Sequence, residues 1–439
     1  MATMDPLNQL RFRCIVSEVL DYGGDYAMAA SVLSHLCEHV GKVAETVLRH
    51  VHTIHDLRNN PTDQAFAKQQ CWALMMWGLT YYRCFDLDSA MPLFDVARRV
   101  AHILHASSTI RSLGTLSRAW YCIGLVHREN REAGEARAAF REALRLTSQG
   151  IEERRAKNEP TASFEFNMAR CAGLGMAWIA YNEAKLKEAD AMLIMARERM
   201  LPAKARLIGA YLDTLQASIM MSESGERAII QDALKFLTNA YSTFAPPASR
   251  GHDHYALRCR NEIALAHLRL ARTYPAESPE REKYLRAAES DVAAVRAAAR
   301  NTPRTAQRSA CRSLITAARI KRERGLFDEA LRLVNQAKQD AGNSKLLRVD
   351  ACIGIGEAEF ARGVFAGAIA AFLEALSNCQ NDRKDASACH LHLAQAYIKN
   401  NQLSEAKHHF NLWQSMSADL DNAFIRALAE RVRTALSNT

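Results

Sequence analysis

The chain is short of the residues that punctuate loops, with 10 prolines and 19 glycines in 439 residues, and its Val-Ile-Thr runs are too scarce to read as strands. Alanine, leucine, arginine and glutamate, all good helix formers, fill the remainder, so the expected fold class is all-α. No uncharged apolar run approaches the roughly 20 residues that span a bilayer. No basic-then-apolar leader with a small-residue cleavage site opens the sequence, and the expectation is a soluble, cytoplasmic protein. The 11 cysteines are scattered, odd in number and never spaced Cys-x-x-Cys. Several, such as Cys122 and Cys352, fall at helix positions that face a core, so reduced core thiols are expected in place of a disulfide framework.

Catalytic signatures are missing as well. The sequence has no G-x-x-x-x-G-K-S/T to cradle phosphates, no G-x-G-x-x-G, no H-E-x-x-H and no G-x-S-x-G, so no enzyme and no cofactor is expected. Three histidine pairs, His35 with His39, His102 with His105 and His252 with His254, have i,i+2 to i,i+4 spacings. Each lacks a third ligand at recognisable spacing, and solvated histidines on a helix face have the same pattern, so no metal is expected.

What is present is a repeat. The stretch from Ile353 to Leu376 pairs two short amphipathic helices about Gly363; small Gly356 lets them approach, Phe365 and Phe372 fill the space between, and Ala368 and Ala375 keep the second helix thin. One such hairpin cannot bury its own apolar face, but a stack of copies can. The same skeleton returns as Ala318, Gly325, Phe327, Ala330, Val334 and Ala337, and as Ala394, Tyr397, Leu403, Ala406 and Phe410, with Trp413 where a small residue is expected, the mark of a terminal repeat. Upstream it recurs at Gly78, Tyr81, Ala90, Phe94 and Ala97, at Trp120, Gly124, Ala136, Phe140 and Ala143, and at Ala177, Ala189, Leu193 and Ala196.

On these residues the chain resembles the tetratricopeptide repeat family, whose signature is a Trp, Leu-Gly, Tyr, Ala, Phe, Ala series on paired helices, over roughly three quarters of its length. The resemblance implies a right-handed α-solenoid of about eight or nine hairpins. The expected organisation is a divergent repeat with an extra helix over 1–65, regular repeats over 66–200 and irregular repeats with long loops over 201–303. Regular repeats return over 304–417, and a capping helix covers 418–439.

Charge is concentrated in one place. Residues 296–324 hold nine basic side chains and one acid, Glu323, a local excess of eight against nine for the whole chain. Arg304, Arg308 and Arg312 share a helix face, and Arg319 and Arg322 continue on an adjoining stripe; like charges at that spacing destabilise an isolated helix. Asp350 and Glu357 of the adjacent repeat, or an anionic partner, are the groups that would offset them. In the family, the first helices of successive hairpins line a concave groove that holds a peptide or partner helix, at positions six before, one after and four after the small residue. Carried onto this chain, those positions are Arg312, Arg319 and Arg322 from Ala318, Arg118, Leu125 and Arg128 from Gly124, and Cys171, Trp178 and Tyr181 from Ala177. Arginine forks with aromatic contact area suit an acidic peptide or protein with a few apolar anchors. The expected function is therefore a non-catalytic interaction scaffold or sensor, with Arg308, Arg312, Arg319, Arg322, Arg118, Arg128, Trp178 and Tyr181 as its partner-binding residues. Two alternatives stay open: a nucleic-acid-binding subunit, or a regulatory subunit of a signalling or defence system, that uses the 296–324 face. The Lys and Asn pattern that clamps a chaperone C-terminus is missing, and neither that partner nor a membrane is expected.

Overall fold

A computed structural model describes residues 61–83, 86–107, 111–199, 205–245, 253–301, 303–342, 344–379, 383–416 and 422–437. The repeat and extra helix expected over 1–65 lie outside the described residues, except for 61–65. Every described element is a helix, and neighbours in sequence pack antiparallel as hairpins. The first two are α1 (Pro61–Arg83) with α2 (Leu87–Ser107), and α3 (Arg111–Glu129) with α4 (Ala133–Ala156). In the third, α5 (Ala162–Ala169) runs through a π-helical segment (Arg170–Met176) into α6 (Ala177–Asn182), and α7 (Leu186–Glu198) packs back on it. Then come α8 (Ala205–Glu223) with α9 (Arg227–Phe244), and α10 (Asp253–Arg272) with α11 (Pro279–Asn301). The last are α12 (Pro303–Glu323) with α13 (Phe327–Asp340), α14 (Lys345–Ala361) with α15 (Phe365–Cys379), and α16 (Arg383–Lys399) with α17 (Leu403–Met416). α18 (Ala423–Ser437) closes the stack against α16 and covers Phe410 and Trp413, whose rings stack 5.2 Å apart.

Residues 201–303, read from the sequence as irregular, hold two hairpins whose helices run 18 to 23 residues. The polar SESGER run misleads because Ser222 is buried, its hydroxyl 3.4 Å from that of Tyr181, so α8 continues to Glu223 and the connection shrinks to 224–226. Pro279 opens α11 where its missing N–H costs nothing, and Ser278 Oγ accepts from the Glu280 N–H at 3.1 Å.

The repeated glycines and phenylalanines form the locks between helices. A Cβ on Gly78 would sit 2.5 Å from Phe94, one on Gly124 2.7 Å from Phe140, and one on Gly356 2.4 Å from Phe372. Phe140 is gripped from a second side by Gly175 of the π segment, again at 2.7 Å. Each fully buried phenylalanine contributes about 1.5–3 kcal/mol of transfer free energy. The hairpin turns need one left-handed residue, supplied at no steric cost by Gly325 (φ 74°) and Gly363 (φ 82°). At the equivalent turn between α3 and α4, Arg131 takes φ 61°, a conformation disfavoured for a residue with a Cβ.

Candidate functional site

Arg131 links two distant parts of the described stack. Its guanidinium donates to Asp385 Oδ2 in the first turn of α16, 254 residues away, and lies 3.9 Å from Asp350 of α14. The superhelix thus curls until the second of its described hairpins meets the last ones, and a cavity of about 250 Å³ forms on the inner face. Beside this closure Glu129 is buried, accepting from Arg128 Nη2 (2.6 Å) and the Tyr82 hydroxyl (3.1 Å) and paired with Arg308 of α12. Burial alone would raise the Glu129 pKa; Arg308, Arg128 and Arg258 more than reverse it, so its carboxyl is held well below the usual range.

The cavity wall carries eight arginine or lysine side chains and four carboxylates, a formal excess of four positive charges. Aromatic faces take part of that excess: the Arg258 guanidinium lies 4.1 Å over Trp178 and the Lys384 ammonium 4.4 Å over Tyr181. Arg269 donates to the Met221 carbonyl, and burial lowers its pKa. Arg308, between Glu129 and Arg312, is drawn down to about 10, by burial first, and stays charged at neutral pH. Arg312 has no ion pair or hydrogen bond to its guanidinium among the described residues, although it lies near Arg308 and Asp385.

Of the eight side chains singled out in the sequence, Arg128, Trp178, Tyr181, Arg308, Arg312 and Arg319 line this cavity together. Arg322 instead binds the half-buried Glu357 at 2.6 Å, with Arg319 at 3.8 Å from the same oxygen. Burial opposes ionisation of Glu357, but Arg322, then Arg319 and His392, hold its pKa far down. The carboxylate named as an offset for the stripe therefore takes that role, while Asp350 faces Arg131. Arg118 lines a second cavity, with Trp72, Arg154 and Phe166, and does not join the first. Cys171, counted as a groove position, is buried in the core because the π segment shifts the register of that helix. The Arg304 side chain lies outside the described ones.

Missed by sequence reasoning were Arg131, Glu129, Arg258, Arg269, Asn261, Lys384 and Asp385. One signal was available, since six before and one after the buried Ala264 stand Arg258 and Leu265, both in the wall. The eight described cysteines are all buried thiols outside any disulfide, and burial pushes Cys71, Cys171, Cys259 and Cys311 up to about 12. His102 is exposed on α2, and His105 Nδ1 is 3.3 Å from the Ser112 hydroxyl; His35, His39 and His252 lie outside the described residues, as does the side chain of His254. No described helix is long and apolar enough to cross a membrane.

Stacked hairpins with Gly/Phe locks and a charged inner face define a tetratricopeptide-like helical-repeat protein. No protein-family model matches the chain, and no curated protein matches it in sequence. Among solved structures it is similar to a Rap protein complexed with competence and sporulation factor, with a TM-score of 0.52 at 12% identity over 94% of this chain and 99% of that one. It is also similar to yeast Tom70, with a TM-score of 0.45 at 12% identity over 97% and 96% of the two chains. The tetratricopeptide domain of P58(IPK) aligns at 14% identity over 98% and 99%, with a TM-score of 0.25. The first superposition supports the helical-repeat fold and nothing finer; the other two are too loose to add to it.

Proposed function

We propose that the protein is a non-catalytic scaffold or sensor whose inner face recognises an acidic segment of a partner. One observation carries the reading: Arg312, whose guanidinium is unpaired among the described residues, belongs to a cavity wall with a formal excess of four positive charges. No carboxylate of the wall balances that excess, and a carboxylate-bearing ligand is held by it through charge-assisted forks, with Trp178 and Tyr181 as contact area. The Rap protein, which shares the architecture, is complexed with a factor, and that precedent agrees with a ligand-binding role for the same fold. Nucleic acid fits less well. Arg308, Arg319, Arg322 and Arg324 meet internal carboxylates, leaving few arginines of the stripe to neutralise phosphates.

The test is fluorescence anisotropy of the full chain with a labelled octaglutamate peptide, an octalysine control and a single-stranded oligonucleotide. Binding of octaglutamate that weakens with salt, and falls at least tenfold in Arg312→Glu, is the expected result. Failure of octaglutamate to bind better than octalysine would sink the reading. An oligonucleotide bound more tightly than the peptide, and lost in the same variant, would move the assignment to nucleic acid.

A further inference from the structure

We infer that the centre of this cavity is a site for a small polyanion, a phosphorylated or polycarboxylate molecule with at least two negative charges, that clasps α6, α10 and α12 together. The inference rests on the reading of the inner face as an anion-recognising surface and names what fills its deepest part.

Size is the first ground. At about 250 Å³ the cavity is a little smaller than the clefts that take drug-sized ligands, about 300 Å³ and upward, so it suits a smaller molecule. Arg131 and Asp385, paired with each other, both stand in its wall, and a space of this volume holds a molecule of modest size. Chemistry is the second ground. Among the described residues, Arg258 on α10 and Arg312 on α12 meet no carboxylate at ion-pair distance, and Arg269 on α10 meets only a carbonyl. Buried like charges repel one another unless a counter-ion lies among them.

Unsatisfied hydrogen-bonding groups are the third and independent ground. Trp178 is 7% exposed and its indole Nε1–H has no acceptor among the described residues; Arg258 Nε–H, stacked on that indole, has none there either. Asn261 is 2% exposed: its Nδ2 donates to the Ser309 carbonyl at 2.9 Å, while its Oδ1 has no donor. Buried polar atoms left unpaired are costly, so several on one wall mark a place where something else completes the bonding. Two N–H donors beside unpaired guanidinia match the oxygens of a phosphoryl or carboxylate group. The Asn261 acceptor suits a hydroxyl or protonated oxygen on the same molecule.

The test is thermal unfolding of the full chain with inorganic pyrophosphate or citrate, each compared with sodium chloride at matched ionic strength. Wild type is run beside Arg312→Ala, which removes no internal partner, and Trp178→Phe, which keeps the ring face and deletes the N–H. A rise of at least about 2–3 °C at 1 mM pyrophosphate or citrate is expected in wild type, from ligand linkage. It should be abolished in Arg312→Ala and reduced in Trp178→Phe; which anion acts identifies the phosphorylated or the polycarboxylate source. No rise beyond sodium chloride, or an equal rise in Arg312→Ala, overturns the site. Octaglutamate anisotropy in the absence of either anion separates the two ideas. Peptide binding without an anion-induced rise leaves the acidic-partner reading standing and removes the polyanion, and a rise without peptide binding does the reverse.

Discussion

Between the helices, Phe140 is gripped by Gly124 on one side and Gly175 on the other; on the inner face, the Arg312 guanidinium meets neither hydrogen bond nor ion pair among the described residues. The two belong to one architecture but answer to different demands. Interhelix positions are filled so that the apo chain is close-packed, and each neighbour there restricts the next. The inner wall is mixed. Some of its charges, such as Glu129 with Arg128 and Arg308, are matched as closely as the core, while others are left over. Perturbing matched ions, packed rings and unmatched ions in turn shows where structure ends and recognition begins.

The largest effect falls on the matched ions. Glu129→Gln leaves Arg128 and Arg308, both largely shielded from water, without the carboxylate of a buried partner, at a cost of about 3–5 kcal/mol in denaturant unfolding. The sign with pH follows from the depressed pKa values of Glu129, Glu357 and Asp385. Their stabilisation is fully present above the unfolded carboxylate range, about pH 5, and is lost as pH falls through the folded values. The gap between wild type and Glu129→Gln should hold steady above pH 5 and close towards acid. A gap that widens on acidification would mean that Glu129 is not ionised in the folded protein.

Next comes the core. Gly124→Val drives a branched side chain into the Phe140 ring, where even a Cβ would sit at 2.7 Å, and should cost about 1–3 kcal/mol. A loss well below 1 kcal/mol would show that the α3–α4 hairpin has slack. This half of the comparison was legible in the sequence because it is periodic and local. Gly124 and Phe140, or Gly356 and Phe372, keep a fixed spacing within each hairpin, so pattern alone identifies them. The inner wall was half legible. Arg312 and Arg128 follow from counting along the first helices, and so would Arg258 have done had the count been started at Ala264. Closure was not legible at all. That Arg131 meets Asp385 depends on how far the stack curls over 254 residues, the sum of many small rotations between hairpins. Nor does the sequence announce that Arg131 sits at a turn position where Gly325 and Gly363 serve elsewhere, exchanging conformational ease for a guanidinium at the junction.

The smallest effect has the opposite sign. Arg312 lies one turn from Arg308 on the same helix, and a like-charged pair at that spacing opposes helix formation by roughly 0.2–0.5 kcal/mol. Truncation breaks no ion pair, and alanine is the better helix former. Without anions, Arg312→Ala should therefore raise the midpoint of unfolding slightly, measured beside Arg322→Ala, which strips Glu357 of its nearest cation and should lower it. A side chain whose removal stabilises the empty protein is kept for something other than folding. If Arg312→Ala instead destabilises as Arg322→Ala does, Arg312 is part of the matched network, the distinction between the two kinds of inner charge disappears, and the anion site loses its anchor.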